Sequence, residues 1–328
     1  MYDFHIDSIV SFIERRNART VALQLPEGLK TYALNLADQI GSRTGARCLI
    51  LGDPCYGACD INRDFRRYAE ALVHIGHAEI PSMQNDADVV HIEVQIDFDP
   101  EALLEKALPL LRGTVGVVTT VQHTEFIDKA LTFLRSKGVK CVVGRGDQRI
   151  KHPGQLLGCN ISAATSVDAE VDSYLFIGSG NFHPLSVAIE TSKEVIVMDP
   201  VMNEVREIGE LKERIMRQRH AAIARSADVE DFGIIVSSKT GQDRFPLAMD
   251  LLERIERKGK KATVIILEEI SPERLLPFQC GAFVSTACPR LAIDDQLRYP
   301  KPMLTPIELE IVLGDREWAD YHLDMIMG

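Results

Sequence analysis

Apolar runs of strand length alternate with amphipathic stretches along the whole chain. The first amphipathic stretch has the i, i+3, i+4, i+7 spacing of one buried helix face, with apolar side chains at Ile6, Ile9, Val10 and Ile13. TVALQL (20–25) and RCLILGD (47–53) read as strands, and PEGLKTYALNLADQI between them reads as a helix with Pro26 in its first turn. Such alternation is typical of parallel sheets covered by helices.

The alternation divides the chain into three predicted α/β modules, residues 1–99, 100–202 and 203–328. The first module continues with strands at 71–76 and 89–94. The second has predicted helices near 100–111 and 124–136 and strands at 114–120, 140–146, 174–180 and 194–200. The third has predicted helices at 203–224 and 244–257 and strands at 232–238, 262–269 and 282–288.

Glycine, proline, histidine and cysteine residues cluster just after the predicted strand ends. In parallel sheets, ligands bind at the carboxyl ends of the strands. The motifs therefore predict one central site that the three modules share.

Composition narrows the range of partners and compartments. A net charge of −11 over 328 residues argues against a nucleic-acid backbone as main partner, although a local basic patch around Arg145, Arg149 and Lys151 stays open. The acidic, amphipathic N-terminus does not read as a signal peptide, and no apolar run approaches the roughly 18–20 residues that span a bilayer. We expect a cytoplasmic protein without a membrane partner, whose seven cysteines stay reduced.

Three cysteines lie in similar loop contexts, one in each module. They are Cys59 in GDPCYGACD, Cys159 in GQLLGCN and Cys288 in STACPR, each flanked by residues that turn the chain. We expect these matching points to converge if the modules close around a shared axis. Three thiolates with a vacant fourth position are typical of a 4Fe–4S cluster whose open iron binds a substrate.

The other cysteines favour simpler interpretations. Cys48 and Cys141 lie inside strand runs and Cys280 precedes one, as small buried apolar residues do. Cys55 forms a Cys-x3-Cys pair with Cys59 and is either a packing residue or a secondary thiol. Ordinary burial is also the alternative for the three loop cysteines, and a structural zinc ion would usually recruit a fourth ligand.

A set of motifs across the chain resembles one known family. The motifs are LPEGLK (25–30), DPCYGACD (53–60), HIGH (74–77), TTVQH (119–123), GQLLGCN (154–160), FIGSGNFHP (176–184), TACPRLAIDD (286–295) and PMLTPIE (302–308). The chain resembles the archaeal radical enzymes that begin diphthamide biosynthesis, the 2-(3-amino-3-carboxypropyl)histidine synthases.

The resemblance implies a fold, a chemistry and partners. It implies three Rossmann-like modules with parallel sheets around a central 4Fe–4S cluster bound by Cys59, Cys159 and Cys288. It implies reductive cleavage of S-adenosylmethionine to a 3-amino-3-carboxypropyl radical, with methylthioadenosine as by-product. The group is transferred to the imidazole carbon between the two nitrogens of a histidine in translation elongation factor 2. A homodimer and an unidentified electron donor are also implied.

One departure from ordinary radical S-adenosylmethionine enzymes is visible in the sequence. Those enzymes carry a single Cys-x3-Cys-x2-Cys loop, but here CYGAC continues as Asp60, Ile61 and Asn62. We therefore expect a cluster built across modules, with a differently shaped pocket that aligns a different carbon–sulfur bond for cleavage.

Several polar residues near strand ends are candidates for the substrate pocket. Those expected to hold S-adenosylmethionine are Gly178, Ser179, Gly180 and His183, with Gln122, Gln242 and Glu27 as further candidates. His123 is a candidate for the methionyl carboxylate or the incoming imidazole, and Lys30 for the lining of the centre. A structural turn is the alternative for the glycine loop.

Three further motifs carry charged or titratable groups. Arg290 is expected to neutralise the cluster or to pair with a carboxylate, and Asp60 to form a hydrogen bond within its loop. His74 and His77 favour a turn or a role in lining the site over metal binding, because no carboxylate motif lies beside them.

Other functions remain open at this point. A quinolinate-synthase-like enzyme also takes one cysteine from each of three modules, with the open iron as a Lewis acid. There are two further alternatives. One is an α/β binding protein with a structural metal, and the other is a catalytically silent subunit that supports a radical partner.

Overall fold

The computed structural model describes residues 2–83 and 86–328. The first third of the chain contains β1 (Tyr2–Asp3), α1 (Ile6–Arg16), β2 (Thr20–Gln24), α2 (Ala33–Thr44), β3 (Arg47–Ile50), β4 (Ala71–Ile75), β5 (Val89–Ile92) and β6 (Gln95–Ile96). The second contains α3 (Glu101–Ala107), β7 (Val115–Thr119), α4 (Ile127–Ser136), β8 (Cys141–Val142), α5 (Ser162–Thr165), β9 (Ser173–Ile177), α6 (Phe182–Thr191), β10 (Glu194–Asp199) and β11 (Glu204–Glu207). The last contains α7 (Gly209–Ser226), β12 (Asp231–Ser237), α8 (Phe245–Arg257), β13 (Lys261–Leu267), α9 (Pro272–Leu275), β14 (Ala282–Ser285), α10 (Arg290–Ile293), β15 (Met303–Leu304) and α11 (Pro306–Val312).

Three main sheets repeat one topology. Their strand orders are β3–β2–β4–β5, β8–β7–β9–β10 and β13–β12–β14–β15, so each sheet places its first strand between its second and third. All of these neighbours are parallel. The second sheet gains β11 at its edge, antiparallel to β10. The predicted α/β fold with several parallel sheets is confirmed.

The strands are apolar because both faces of the sheets are packed against other parts of the chain. Every residue of β4, β7 and β9 is buried, as expected for central parallel strands. On the first sheet, Ile9 and Ile13 of α1 pack with Val21 and Leu23 of β2 in one apolar cluster. The helix face predicted at the N-terminus is therefore the face that contacts the sheet.

Several predicted elements differ from those observed. The helix predicted at 203–224 begins only at Gly209, because residues 204–207 form the antiparallel strand β11. The helix predicted after Pro26 divides into a 3-10 helix, Glu27–Tyr32, and α2. The strand predicted at 140–146 is limited to Cys141–Val142. The module boundaries at 99 and 202 stay a prediction.

The expectation that the three cysteines occupy matching points is wrong for one of them. Cys59 and Cys159 lie after β3 and β8, the second strand of their sheets and an edge strand in each. Cys288 lies after β14, the third strand of its sheet, which is central. The loops therefore reach a common centre from different strands. No helix within the described ranges is long and apolar enough to cross a membrane.

A buried ion pair fixes the segment that follows Cys288. The Arg219 side chain of α7 is 0% exposed and donates from Nε to Glu308 of α11 at 2.7 Å. Its other nitrogens donate to the carbonyl oxygens of Ala292 at 2.6 Å and Met303 at 2.7 Å, and to the Gln296 side chain. One guanidinium thus joins α7, α10, β15 and α11.

Replacing Arg219 tests this arrangement. Arg219→Met leaves the Glu308 carboxylate buried without its cation, so we expect a loss of about 3–5 kcal/mol in the free energy of unfolding. Urea unfolding followed by circular dichroism measures it. The matched control is Arg217→Met on the same helix, because Arg217 is exposed and pairs with exposed Glu213. Equal losses for the two variants would contradict the role given to the buried pair.

Candidate functional site

Cys59, Cys159 and Cys288 line one cavity of about 410 Å³ between the three sheets. Loops from all three parts of the chain contribute to its wall, including the Gln122 and Gln242 side chains that follow β7 and β12. The wall of the cavity also includes apolar residues, namely Ile80, Leu156, Leu157, Phe182 and Leu291. The structure therefore joins three cysteines that lie a hundred or more residues apart in sequence.

The loop of Cys59 is held against the third sheet by main-chain contact. The Gly241 N–H donates to the Cys59 carbonyl at 3.2 Å, and a Cβ at Gly241 would lie 2.5 Å from Cys59 Cα. Only a residue without a side chain allows this approach. On the other side of the loop, Lys30 donates to the carbonyl oxygens of Gly52 at 2.9 Å and Asp53 at 3.0 Å.

Side chains from the third sheet reach the same loop. Gln242 Nε2 donates to Cys59 Sγ at 3.2 Å. Lys239 pairs with Asp60 at 2.8 Å, and both side chains are largely buried. Asp60 also accepts from the Tyr56 N–H at 3.2 Å, so the hydrogen bond predicted within the loop is present and the ion pair to Lys239 adds a link between sheets.

Cys159 lies in a tight turn with Gly158. Leu157 and Asn160, which flank the pair, exchange two main-chain hydrogen bonds of 2.9 Å. A Cβ at Gly158 would lie 2.1 Å from the Phe182 ring, so glycine allows that ring to pack against the turn. The Ile326 N–H donates to the Cys159 carbonyl at 2.8 Å, which ties the turn to the last residues of the chain.

Cys288 lies three residues beyond the last residue of β14, between that strand and α10. Arg244 donates to the carbonyl oxygens of Thr286 at 2.6 Å and Ala287 at 3.2 Å. Asp324 pairs with the same guanidinium, with Nη1 to Oδ1 at 2.7 Å. The position of Cys288 thus depends on a buried ion pair supplied by two distant segments.

The three thiols are in an environment that disfavours isolated thiolates. Burial raises the pKa of Cys59, Cys159 and Cys288, to about 11 for Cys159, and a charge on Cys59 raises the pKa of the other two further. The Gln242 hydrogen bond and the charge of Arg149 lower the pKa of Cys59. Three half-buried soft donors that repel one another when ionised fit a positively charged metal centre, which would compensate their charge.

Arg149 is a site residue that the sequence placed elsewhere. The sequence left open a local basic patch that included it, but it is 7% exposed and its Nη2 donates to the Gly241 carbonyl at 3.2 Å. Its charge acts on both Cys59 and Cys159. Its Nε is buried without a hydrogen-bond partner among the described residues. No local pattern distinguishes this arginine from its neighbours Arg145 and Lys151, because its burial depends on the third sheet.

Some of the residues predicted for the pocket do line the cavity. They are His183, Gln122, Gln242 and Arg290. Burial and the charge of Arg290 lower the pKa of His183 to about 4, so its imidazole is neutral near pH 7. Arg290 donates from Nε to Asp294 at 3.0 Å, which is the predicted pairing with a carboxylate. Their roles toward a ligand stay predictions.

The glycine loop lies outside the cavity lining of the described chain. Ser179 donates to Asp199 at 2.7 Å, and Asp199 also accepts from the main-chain N–H groups of Val201 and Met202. These contacts support the structural turn that was the alternative for Gly178, Ser179 and Gly180. S-adenosylmethionine binding by this loop stays a prediction, and the loop itself does not line the described cavity.

Two further predicted residues also lie outside the lining of the described cavity. His123 is buried between the rings of Phe98 and Phe126, and burial lowers its pKa to about 4. Glu27 is exposed and pairs with Lys30.

His77 lines the cavity, as the interpretation of the HIGH motif expected, and His74 lies directly behind it. The ligand atoms of Cys55, His74 and His77 lie within 4.8 Å of one another. Cys55 is buried, and burial raises its pKa to about 12, so it stays a thiol.

The close approach at Gly241 generates a direct test. Gly241→Ala forces the loops of Cys59 and Gly241 apart, and overpacking of this kind costs about 1–3 kcal/mol in the free energy of unfolding. Thermal unfolding of the full chain measures the loss. Gly209→Ala is the control, because a Cβ there has no neighbour within 4 Å. A Gly241→Ala protein as stable as the control would contradict the contact.

Comparisons with known proteins identify the family of this chain. The family described as "Putative diphthamide synthesis protein" matches residues 25–322. The 2-(3-amino-3-carboxypropyl)histidine synthase of Pyrococcus horikoshii is 35% identical over 340 residues, covering 100% of this chain and 95% of that protein. Subunit 1 of the human synthase is 31% identical, covering 100% of this chain and 76% of that protein. The crystal structure of Dph2 from Pyrococcus horikoshii with 4Fe-4S cluster superposes with a TM-score of 0.92 at 34% identity, covering 100% of this chain and 95% of that one. The chain belongs to the diphthamide synthesis family, as its motifs predict.

Proposed function

We propose that this protein is a transferase that performs the first step of diphthamide biosynthesis, as a 2-(3-amino-3-carboxypropyl)histidine synthase. The observation that carries the proposal is the meeting of Cys59, Cys159 and Cys288 in one cavity. The names of the relatives and the cluster in the Pyrococcus structure support it.

The three cysteines are the proposed ligands of one 4Fe–4S cluster. When bound, such a cluster supplies the electron that cleaves S-adenosylmethionine and an open iron at which the substrate is held. The surrounding residues hold the sulfur atoms in place: Gly241 and Gln242 position Cys59, Ile326 positions Cys159, and Arg244 positions Cys288. Arg149 offsets negative charge beside Cys59 and Cys159.

The remaining cavity is the proposed binding site of S-adenosylmethionine. A volume of about 410 Å³ lies in the range of small-molecule pockets. Gln122, His183 and Arg290 offer polar contacts from its wall, with Arg290 suited to the methionyl carboxylate. Leu156, Leu157 and Phe182 keep water from the reacting carbon, which protects a radical from side reactions.

The proposed acceptor is the imidazole of a histidine in translation elongation factor 2. Its carbon between the two nitrogens receives the 3-amino-3-carboxypropyl group, and methylthioadenosine leaves. We also propose a homodimer, a separate protein as electron donor, and a cytoplasmic location where the thiols stay reduced.

Cysteine variants test this function. Cys59→Ala, Cys159→Ala and Cys288→Ala, purified anaerobically and reconstituted with iron and sulfide, should each lose methylthioadenosine formation, because each removes one ligand. Cys280→Ala is the matched control, since Cys280 packs in the third sheet with Phe283 and Ile235. Product analysis of reduced protein with S-adenosylmethionine and elongation factor 2 is the measurement.

Two outcomes would overturn the function. A wild-type protein that binds no iron after reconstitution indicates a binding protein or a zinc scaffold. A wild-type protein that holds the cluster but neither binds nor cleaves S-adenosylmethionine indicates Lewis-acid chemistry of the quinolinate-synthase kind.

A second prediction concerns the hydrogen bond to Cys59. Gln242→Leu removes the donor at 3.2 Å from Sγ, which stabilises the more negative, reduced cluster. We expect a more negative reduction potential and a fall of about 10–100-fold in methylthioadenosine formation. Redox titration followed by electron paramagnetic resonance measures the potential. The control is Gln95→Leu, because the Gln95 amide donates to the Thr124 hydroxyl and Gln95 does not line the described cavity. Equal potentials in the two variants would argue against the contact.

A further inference from the structure

A chain of hydrogen bonds behind the cavity begins at Gln24, the last residue of β2. Gln24 Nε2 donates to the Asp60 carbonyl at 2.8 Å, and Gln24 Oε1 accepts from the Asn62 N–H at 3.2 Å. Both partners are main-chain groups whose polarity is fixed. If the amide were flipped, its oxygen would face the Asp60 carbonyl and its NH₂ group would face the Asn62 N–H. Neither contact is a hydrogen bond, so the orientation of this side chain is determined.

The amide of Gln24 fixes the tautomer of His74. His74 Nδ1 lies 3.1 Å from Gln24 Oε1, which can only accept, so Nδ1 carries the proton. His74 is fully buried, and burial holds its pKa well below the usual range. The ring is therefore neutral, and its Nε2 carries a lone pair.

His74 in turn fixes the tautomer of His77. His77 Nδ1 lies 3.0 Å from His74 Nε2 and must donate to it. The proton of His77 is thus on Nδ1, and Nε2 carries a lone pair. An imidazole in water favours the opposite tautomer, with the proton on Nε2, so the protein reverses the intrinsic preference.

His77 lines the same cavity as the three cysteines. Its Nδ1 is occupied by His74, so Nε2 is the ring nitrogen left for a group in that cavity, and no hydrogen bond to Nε2 is present among the described residues. The turn before His77 is anchored to the second sheet, because Gln122 donates to the Gly76 carbonyl at 3.1 Å. Burial lowers the pKa of His77 to about 4, so the lone pair is free at neutral pH.

We propose that His77 Nε2 is the base that takes the proton from the imidazole carbon of the target histidine. The inference rests on the proposed function. The radical carbon of the 3-amino-3-carboxypropyl group bonds to that carbon, which gives a neutral ring radical with one unpaired electron and a tetrahedral C–H. Loss of that proton to His77 Nε2 and of one electron to the 4Fe–4S cluster oxidised in the cleavage step would restore the aromatic ring. His77 then releases the proton to water.

A metal ion at Cys55, His74 and His77 is the competing use of these groups. Their ligand atoms lie within 4.8 Å, but a metal would have to displace the proton shared by the two histidines. The Cys55 thiol also has weak acceptors, the carbonyl oxygens of Gly57 and Asp60 at 4.0 and 3.9 Å. The hydrogen bonds therefore favour an orienting role for His74 and its neighbours, and they argue against a metal site here.

The tautomer can be measured without the cluster. In the full chain labelled with ¹⁵N-histidine, two-bond ¹H–¹⁵N spectra before iron loading should show His77 protonated at Nδ1, with His77→Gln giving the assignment. His74→Phe should lose this tautomer. A proton on His77 Nε2 in the wild type, or a shift of both histidines on addition of Zn²⁺ that Cys55→Ala abolishes, would overturn the inference.

The chemical role is tested in the reconstituted protein with elongation factor 2. His77→Gln should still form methylthioadenosine, but transfer to elongation factor 2 should fall about 10²–10⁴-fold, as for loss of a general base. Deuterium at the target imidazole carbon should slow transfer in the variant more than in the wild type. His74→Phe should lower transfer, and His74→Gln, whose amide can accept from His77 and donate to Gln24, should restore most of it.

The possible outcomes distinguish a failure of the inference about His77 from a failure of the proposed synthase function. Transfer at the wild-type rate by His77→Gln overturns the inference and leaves the function intact. If His77→Gln loses both methylthioadenosine formation and transfer, the inference is also overturned, because that result indicates that His77 helps to bind S-adenosylmethionine. A wild type that forms neither product overturns the proposed function and the inference with it.

Discussion

The meeting of three cysteines from three sheets in one cavity is the constraint on which the rest of the structure depends. Burial raises the pKa of each thiol, and a charge on Cys59 raises the pKa of Cys159 and Cys288 further, so the three are neutral unless a positive centre offsets their charge. Each of the three loops is held by contacts from a distant segment of the chain: Gly241 contacts the Cys59 loop, Ile326 the Cys159 turn, and Arg244 the loop of Cys288. Gly241 holds Cys59 through a main-chain approach that a methyl group would prevent, and Arg149 adds a buried positive charge to the same place. These contacts bring the three cysteine loops to one cavity.

Buried ion pairs supply the long-range part of this assembly. Lys239 and Asp60 link the first and third sheets, and Arg244 and Asp324 hold the loop of Cys288. Arg219 and Glu308 fix the helices behind that loop. A buried pair contributes little net stability compared with apolar packing, but removing one partner is costly. Their common effect here is to specify where loops from different sheets meet.

The sequence predicts the local features of this protein better than the contacts between its parts. Apolar runs predict most strands, and turn residues around Cys59, Cys159 and Cys288 predict the loops that meet. The same reasoning misplaces Arg149, whose burial depends on Gly241 nearly a hundred residues away. It assigns the Gly178 loop to the pocket, which stays a prediction, but does not identify the turn that Asp199 organises there. The tautomer of His77 follows from Gln24, Asp60 and Asn62, which no spacing in the sequence connects.

The central claim is that thiols from three sheets bind one cluster with an open iron. Mössbauer spectroscopy of the ⁵⁷Fe-reconstituted wild type, with and without S-adenosylmethionine, tests it most directly. The account predicts a cubane cluster in which one iron differs from the other three and changes its signal when S-adenosylmethionine binds. Four irons that are equivalent and unaffected by S-adenosylmethionine, or iron bound without inorganic sulfide, would contradict it.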